Sequence, residues 1–281
     1  MYVPQEETML MAIVTVASFL FPIAAAGGAA GVYETDYEYT FIVTRDRSNE
    51  VTHGRAHVRG DRVRVELRSV EAGTGAEEYL LFALDSDSAW IVRPAMMEYE
   101  VVALQDFVYL VGISLGLASP VLGVRLDEVV VRGEEHGAGA PIAGQATQRV
   151  RTHVDYTVGF RLLGLALGEQ RISVTIDEWR GTRPELRANP FFDFLITAEL
   201  GVGSADVELR RRVAQQRGVH GGGLPMRIEI ARVEAARGGR AARVLSSEVT
   251  GLRVAPQAPD LFVVPADYRR VGGNARIIGA H

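Results

Sequence analysis

The sequence predicts an α+β protein made mainly of antiparallel β-structure. Three observations carry that expectation. From Val32 onward, apolar and polar residues alternate with a period of two over most of the chain. The alternating runs are joined mostly by short links, and the strand–helix–strand alternation of a parallel sheet is missing. Two stretches depart from the period and are apolar enough to be buried helices. The alternating runs amount to about ten or eleven strands.

At the N-terminus, Met9 to Ala26 is apolar apart from Thr15 and Ser18, and it ends in Ala24-Ala25-Ala26. That is the pattern of a secretory signal peptide cut after about Ala26. Glu6 and Glu7, with no basic residue before the apolar run, depart from the pattern. The rival reading is an uncleaved anchor, although the run falls short of the roughly 20 residues that span a bilayer and contains Pro22. The expected organisation is a signal peptide over 1–26 and one domain over 27–281. The expected location is the periplasm or the cell exterior, with membrane attachment if the segment stays.

In "VYETDYEYTFIVT", Tyr33, Tyr37, Tyr39, Phe41 and Val43 share one face, and Glu34, Asp36, Glu38 and Thr40 share the other. "AHVRGDRVRVELR" reads as a hairpin turning at Gly60-Asp61, with Val63, Val65 and Leu67 inward and Arg62, Arg64, Glu66 and Arg68 outward. Shorter strands are predicted at Tyr79–Leu84, Ala89–Val92 and Glu98–Val102. Further strands follow at Leu126–Val131, Ala146–Phe160, Arg171–Trp179, Met226–Val233 and Ala242–Val254. "GEEHGAGAPIAG" and "HGGGLP" are read as loops.

Ala103 to Ser119 is too long and too apolar for one strand with a wet side, so it reads as a buried helix ending at Pro120. Pro184 to Arg217 holds a second helical region. There Pro190 opens one piece at its first turn, with Phe191, Phe194, Leu195 and Ala198 on one stripe. Ser204 is the expected N-cap of the next piece and Gly218 its stop.

Composition narrows the function. The chain is 47% hydrophobic and 23% charged, too apolar for disorder. Its 30 basic and 35 acidic residues leave a formal charge of −5, and the sequence has no basic stripe for a nucleic acid. Arg210, Arg211 and Arg212 stand beside Glu208 and read as a solvated helix face. Without cysteine, disulfides, thiolate chemistry and cysteine–zinc sites are excluded.

Gly112-Ile113-Ser114-Leu115-Gly116 satisfies the G-x-S-x-G pattern of a serine hydrolase, whose nucleophile sits on a strained strand-to-helix turn. Its surroundings oppose this. The upstream sequence reads as antiparallel, Pro120 interrupts the following helix, and the only late histidines are His220 and the terminal His281. His53 and His57 have the spacing that grips a metal on a helix, but in a strand it separates them by about 13 Å. Asp36, Glu38, Asp177 and Glu178 are acids on strands, and a glycosidase would need two of them facing one sugar bond.

The C-terminal "APDLFVVPADYRRV" resembles the signature of a family of exported bacterial proteins of unknown function, through Asp260, Leu261, Phe262, Val264, Pro265 and Tyr268. "GLPMRIEI" resembles that family's Gly-x-Pro turn before a late strand, and Ile142 and Gly144 its Ile-x-Gly strand start. "DEWRGTRPEL" is similar to its strand ending in an acidic residue and a Trp before a Pro-led helix, and "SDSAWIVRPAMMEYEVV" to its Trp-then-Met/Tyr hairpin. The family looks related to the LolA/LolB-like lipoprotein carriers. The resemblance implies a strongly curved, unclosed barrel-like sheet with helices covering its concave face. It also implies a space between them that takes acyl chains, and it implies no catalytic residues. Phe262 and Val264 would then tuck into a sheet edge, Pro265 would end the ladder, and Tyr268 would close over the rim.

The resulting expectation is an exported, non-enzymatic binding protein without metal or cofactor. Its partner would be a lipid, an acyl chain or an envelope protein, and no nucleic acid. Trp90, Phe107, Leu110, Trp179, Phe191, Phe194 and Leu195 are the expected lining, although each would serve equally as ordinary core. The alternatives are a structural or interaction protein of the envelope with a filled core and, behind it, a hydrolase using Ser114.

Overall fold

The computed structural model describes residues 33–45, 51–69, 78–83, 88–103, 122–162, 165–200, 207–219, 222–236 and 239–272. Their centre is one open sheet of twelve strands. A first meander runs through β1 (Tyr33–Arg45), β2 (Val51–Gly60), β3 (Arg62–Ser69), β4 (Glu78–Ala83), β5 (Ser88–Arg93) and β6 (Glu98–Ala103). A second runs through β7 (Leu122–Ile142), β8 (Gln145–Leu162), β9 (Leu165–Gly181), β10 (Pro225–Ala236) and β11 (Gly239–Val254). Two helices, α1 (Pro190–Leu200) and α2 (Val207–Val219), lie in sequence between β9 and β10. β1 pairs with β11 and so joins the two meanders. A short β12 (Arg269–Val271) pairs in parallel with β6, and every other ladder is antiparallel. β12 and β7 are the two ends of the sheet, which does not close. The strand count is thus slightly above the expected ten or eleven.

The alternation sets the faces as expected. Tyr37, Tyr39 and Phe41 of β1, Ala56 and Val58 of β2, and Val63 and Val65 of β3 are buried on one side, here called inner. The same apolar layer continues through Leu80, Phe82 and Ile91, and across the second meander through Val154, Tyr156, Val174, Ile176, Ile228 and Ile230. Arginines and acids occupy the other, outer side. β4 departs from this pattern, because Tyr79, Leu80, Leu81, Phe82 and Ala83 are all buried. A strand covered on both faces reads as a continuous apolar run.

Two turns show the local chemistry. Gly60, with φ 55°, supplies the left-handed residue of the β2–β3 hairpin. Ala143 and Gly144, with φ 47° and 74°, form the two-residue β7–β8 turn, whose primed geometry needs positive φ at both positions.

Three expectations need correction. The stretch Gly133–Gly144 is strand as far as Ile142 rather than a loop. β7 is an edge strand with register shifts between Asp127 and Val130, Glu135 and Ala138, and Gly139 and Ile142, so its exposed small and charged residues show no clean period of two. The second helical region starts at Pro190 rather than Pro184, and α2 runs through Gly218 to Val219.

The third correction concerns "LFVVP", which is not an edge strand. Pro259–Phe262 is a short 3-10 turn, Phe262 is buried, Val263 is exposed, and the Pro265 carbonyl accepts a hydrogen bond from the Tyr268 N–H at 3.1 Å. Prolines at 259 and 265 deny this run a ladder. Instead it crosses the outer face, where Val264 and Tyr268 pack with Trp90 and Tyr99 on Tyr79, Leu81 and Val92. The expected helix over Ala103–Ser119 and the N-cap at Ser204 lie outside the described residues.

Candidate functional site

The layer between the inner face and the helices was the expected binding site. Its centre is α1. Asn189 caps this helix: its Oδ1 accepts the Phe191 N–H at 3.1 Å, and Pro190 follows at the first helical position. Phe191, Phe192, Leu195, Ile196 and Leu200 are buried against the sheet. Phe191 meets Phe41 with ring centroids 4.9 Å apart, and Phe192 stacks on Tyr39 at 5.7 Å.

Polar side chains of the inner face fasten the same helix. The Tyr37 hydroxyl donates to the Arg187 carbonyl at 2.8 Å, Asn189 Nδ2 donates to the Tyr39 hydroxyl at 2.6 Å, and Arg232 donates to the Glu199 carbonyl at 2.9 Å. The Tyr156 hydroxyl donates to the Leu200 carbonyl. Burial pushes the Tyr39 hydroxyl well above the usual phenol range, so it stays neutral and keeps its proton.

One charge cluster, centred on a fully buried carboxylate, interrupts this apolar layer. Glu178 of β9 shares its face with Ile172, Val174 and Ile176 and has no exposed side-chain surface. Its carboxylate accepts Arg217 of α2 at 2.7 and 2.8 Å, and Arg180 at 3.0 Å. Arg180 Nη1 also donates to the Arg217 carbonyl at 2.8 Å, and Arg217 Nη1 reaches Asp193 in the first turn of α1 at 2.5 Å. Burial alone would raise the Glu178 carboxyl; the Arg217 and Arg180 charges outweigh it and hold the group at about 2. The cluster ties sheet, α1 and α2 together. A carboxylate clamped by two guanidiniums is no general base, because its lone pairs are occupied.

The expected lining residues separate on this frame. Phe191 and Leu195 meet on the inner face. Trp90 does not join them: it stands opposite Leu81 in the ladder and packs on the outer cluster beneath the C-terminal segment. Trp179 also takes the outer parity. It lies between the Arg149 and Arg227 guanidiniums, each 4.9 Å from the ring, and its edge meets Gly139 of β7. Phe194 belongs to α1, but its side chain is outside the described residues, as are Phe107, Leu110 and Ser114.

The sequence-flagged polar residues are engaged in structure. Asp177 points outward and accepts both Arg149 at 3.0 Å and Arg151 at 2.7 Å. Glu38 pairs with Arg253 at 3.0 Å, and Asp36 accepts the Gln257 N–H at 3.1 Å. His57 meets Gln257 at 2.9 Å, and Arg59 and Arg64 hold the Gln257 and Leu261 carbonyls. These side chains lash the C-terminal segment to the outer face. His53 and His57 are in β2, paired with Ile42 and Glu38. Arg211 and Arg212 pair with Glu208 on the exposed side of α2, at 2.7 and 2.9 Å.

Sequence reasoning missed the Glu178–Arg217 cluster. Its signal was present, because the parity of Ile172, Val174 and Ile176 places Glu178 on the apolar face. Among the described residues, no helix is long and apolar enough to cross a membrane.

No protein-family profile and no curated protein matches the chain. Among solved structures, it is similar to a crystal structure of MucB, with 13% identity and a TM-score of 0.30 over 85% of this chain and 61% of that one. A crystal structure of MucB in complex with MucA(peri) aligns with 11% identity and a TM-score of 0.21 over 80% of this chain and 95% of that one. The chain therefore spans less than two thirds of the first MucB chain it matches.

Proposed function

We propose that the chain is an exported, non-enzymatic binding protein of the cell envelope, holding a lipid, acyl chain or other apolar ligand between the inner face of its sheet and its helices. The observation that supports this reading is the inner face itself. It is one continuous apolar layer across both meanders, roofed by α1 and α2, and its central charge cluster is neutralised internally. Such a surface offers apolar burial.

A second reading is an envelope interaction protein with a filled core. It is favoured by the interlock of Phe191 and Phe192 with Tyr39 and Phe41, which occupies the space under α1. The two readings separate by organic extraction of the purified protein followed by mass spectrometry, together with titration of a fluorescent fatty acid. Co-purifying lipid and saturable binding are expected for the first reading. Extracts at background level with no titration would leave the second.

A further inference from the structure

The two margins of the sheet are treated differently. At one, the three residues of β12 lie along β6. At the other, β7 runs for 21 residues and has β8 as its sole strand neighbour among the described residues. An uncovered edge presents a row of unpaired N–H and C=O groups. Much of β7 is blunted. Its register shifts lie between Asp127 and Val130, between Glu135 and Ala138, and between Gly139 and Ile142, and Arg212 of α2 reaches the Val129 carbonyl at 3.5 Å. Val130 to Glu135 remains as a regularly paired window about 20 Å long.

The register decides which backbone groups of this window are free. Ile142 and Gln145 flank the two-residue β7–β8 turn, so they form a hydrogen-bonded pair. Each register shift in the two ladders of β8 places its extra residue on β7 or β9, so β8 alternates without interruption. Its odd-numbered residues therefore bond to β7, among them His153 opposite Arg132 and Arg151 opposite Glu134. Val131, Gly133 and Glu135 stand opposite even-numbered residues, so their N–H and C=O groups point to the free edge. Gly133 lies at no bulge, and a glycine inside a strand often marks the close approach of another backbone.

We propose that a second copy of this chain pairs with this edge, β7 against β7 and antiparallel, about a two-fold axis at Gly133. The charge order identifies the occupant. With the axis at Gly133, the outward-facing residues meet as Gly133 with Gly133 and Val131 with Glu135. Arg132 then falls opposite Glu134 on both sides of the axis, in the non-hydrogen-bonded positions where side chains come closest. Moving the axis by one residue would set Arg132 against Arg132 or Glu134 against Glu134, and like charges opposite each other are destabilising. Both side chains are exposed. Glu134 meets His136 at 3.6 Å, and Arg132 has no ion-pair partner among the described residues. Such pairing makes two twelve-stranded sheets continuous, with their inner faces on the same side. A window this short gives an interface at the small end of stable ones, so the dimer should be concentration-dependent. The proposal is independent of what the inner face holds.

Charge exchange tests both the partner and the register. The full chain is followed by sedimentation velocity over a concentration series, beside Arg132→Glu, Glu134→Arg and the double variant Arg132→Glu/Glu134→Arg. The unaltered chain should pass from monomer to dimer as concentration rises. Each single variant sets like charges in both cross-strand pairs, so its dimer dissociation constant should rise about tenfold or more. The double variant restores opposite charges and should recover the dimer. A mixture of the two single variants is the sharpest case. One copy then carries two acids and the other two arginines, so they should dimerise with each other although neither does so alone. Circular dichroism of each variant checks the fold, which changes at exposed side chains should leave intact. Association through the apolar residues 9–26 would be indifferent to all these exchanges. A monomer at every concentration, single variants that dimerise like the unaltered chain, a double variant no better than the singles, or a mixture no more associated than its components would overturn the proposal.

Discussion

Asp177 and Glu178 are consecutive carboxylates on one strand, and each is held by two arginines. Their settings differ because a strand sends neighbours to opposite faces. Asp177 keeps 11% of its side chain exposed, and its arginines come from the adjoining strand β8. Glu178 is fully buried; one of its arginines arrives from α2, and that same arginine bridges to α1. The outer pair decorates a ladder that backbone hydrogen bonds already hold. The inner cluster joins three separate elements, β9, α1 and α2. The same chemistry is therefore expected to differ severalfold in its effect on stability, and burial decides which.

Glu178→Ala is expected to have the largest effect, a loss of about 3–5 kcal/mol, because it strands two buried guanidiniums without a counter-charge. Urea denaturation followed by circular dichroism measures it; a loss below that of Asp177→Asn would reverse the comparison. Replacing the whole cluster sharpens the point. With Glu178→Leu, Arg180→Met and Arg217→Met combined, stability should stay within about 2 kcal/mol of the unaltered chain, since a well-packed apolar substitute avoids the desolvation cost.

The cluster also predicts an acid limb. The folded Glu178 carboxyl, at about 2, lies below its ordinary 4.5. Its contribution is therefore complete above about pH 4.5 and disappears as pH falls toward 2. Stability measured over that interval should decline more steeply in the unaltered chain than in the triple variant.

Asn189→Ala comes next, at about 1–2 kcal/mol, through loss of the α1 cap and of the partner to the Tyr39 hydroxyl. Hydrogen exchange should rise first at the amides of Phe191 and Phe192. Asp177→Asn is expected to be smallest, at about 1 kcal/mol or less, because its partners are part-exposed and screened. A salt titration that leaves its effect unchanged would contradict that assignment.

Much of the sheet was legible because a half-wet antiparallel strand writes its burial as alternation. Tyr37, Tyr39 and Phe41 in β1, and Val63 and Val65 in β3, follow it directly. β7 was partly hidden, since an edge strand with bulges needs no alternation and tolerates Gly-rich sequence. The C-terminal segment misled because its apolar residues cover a second small core instead of extending a ladder, and a local pattern cannot say which surface such a run will cover. The site was legible only in part. Phe191 and Leu195 announced themselves by helical spacing, whereas Trp90 and Trp179 drew attention by size while their parity placed them outside. The Arg217–Glu178 contact spans 39 positions and depends on how α2 is laid over β9, which no local window contains.

The pairing of β1 with β11 has a consequence for how the chain reaches this state. Thr40 and Thr250 share a hydrogen bond across 210 positions, and Phe41 stands opposite Val249. Closing contacts of such long range costs loop entropy before any enthalpy returns, so assembly should be slow. During synthesis, one margin of β1 must wait, unpaired and prone to sticking, until β11 has emerged.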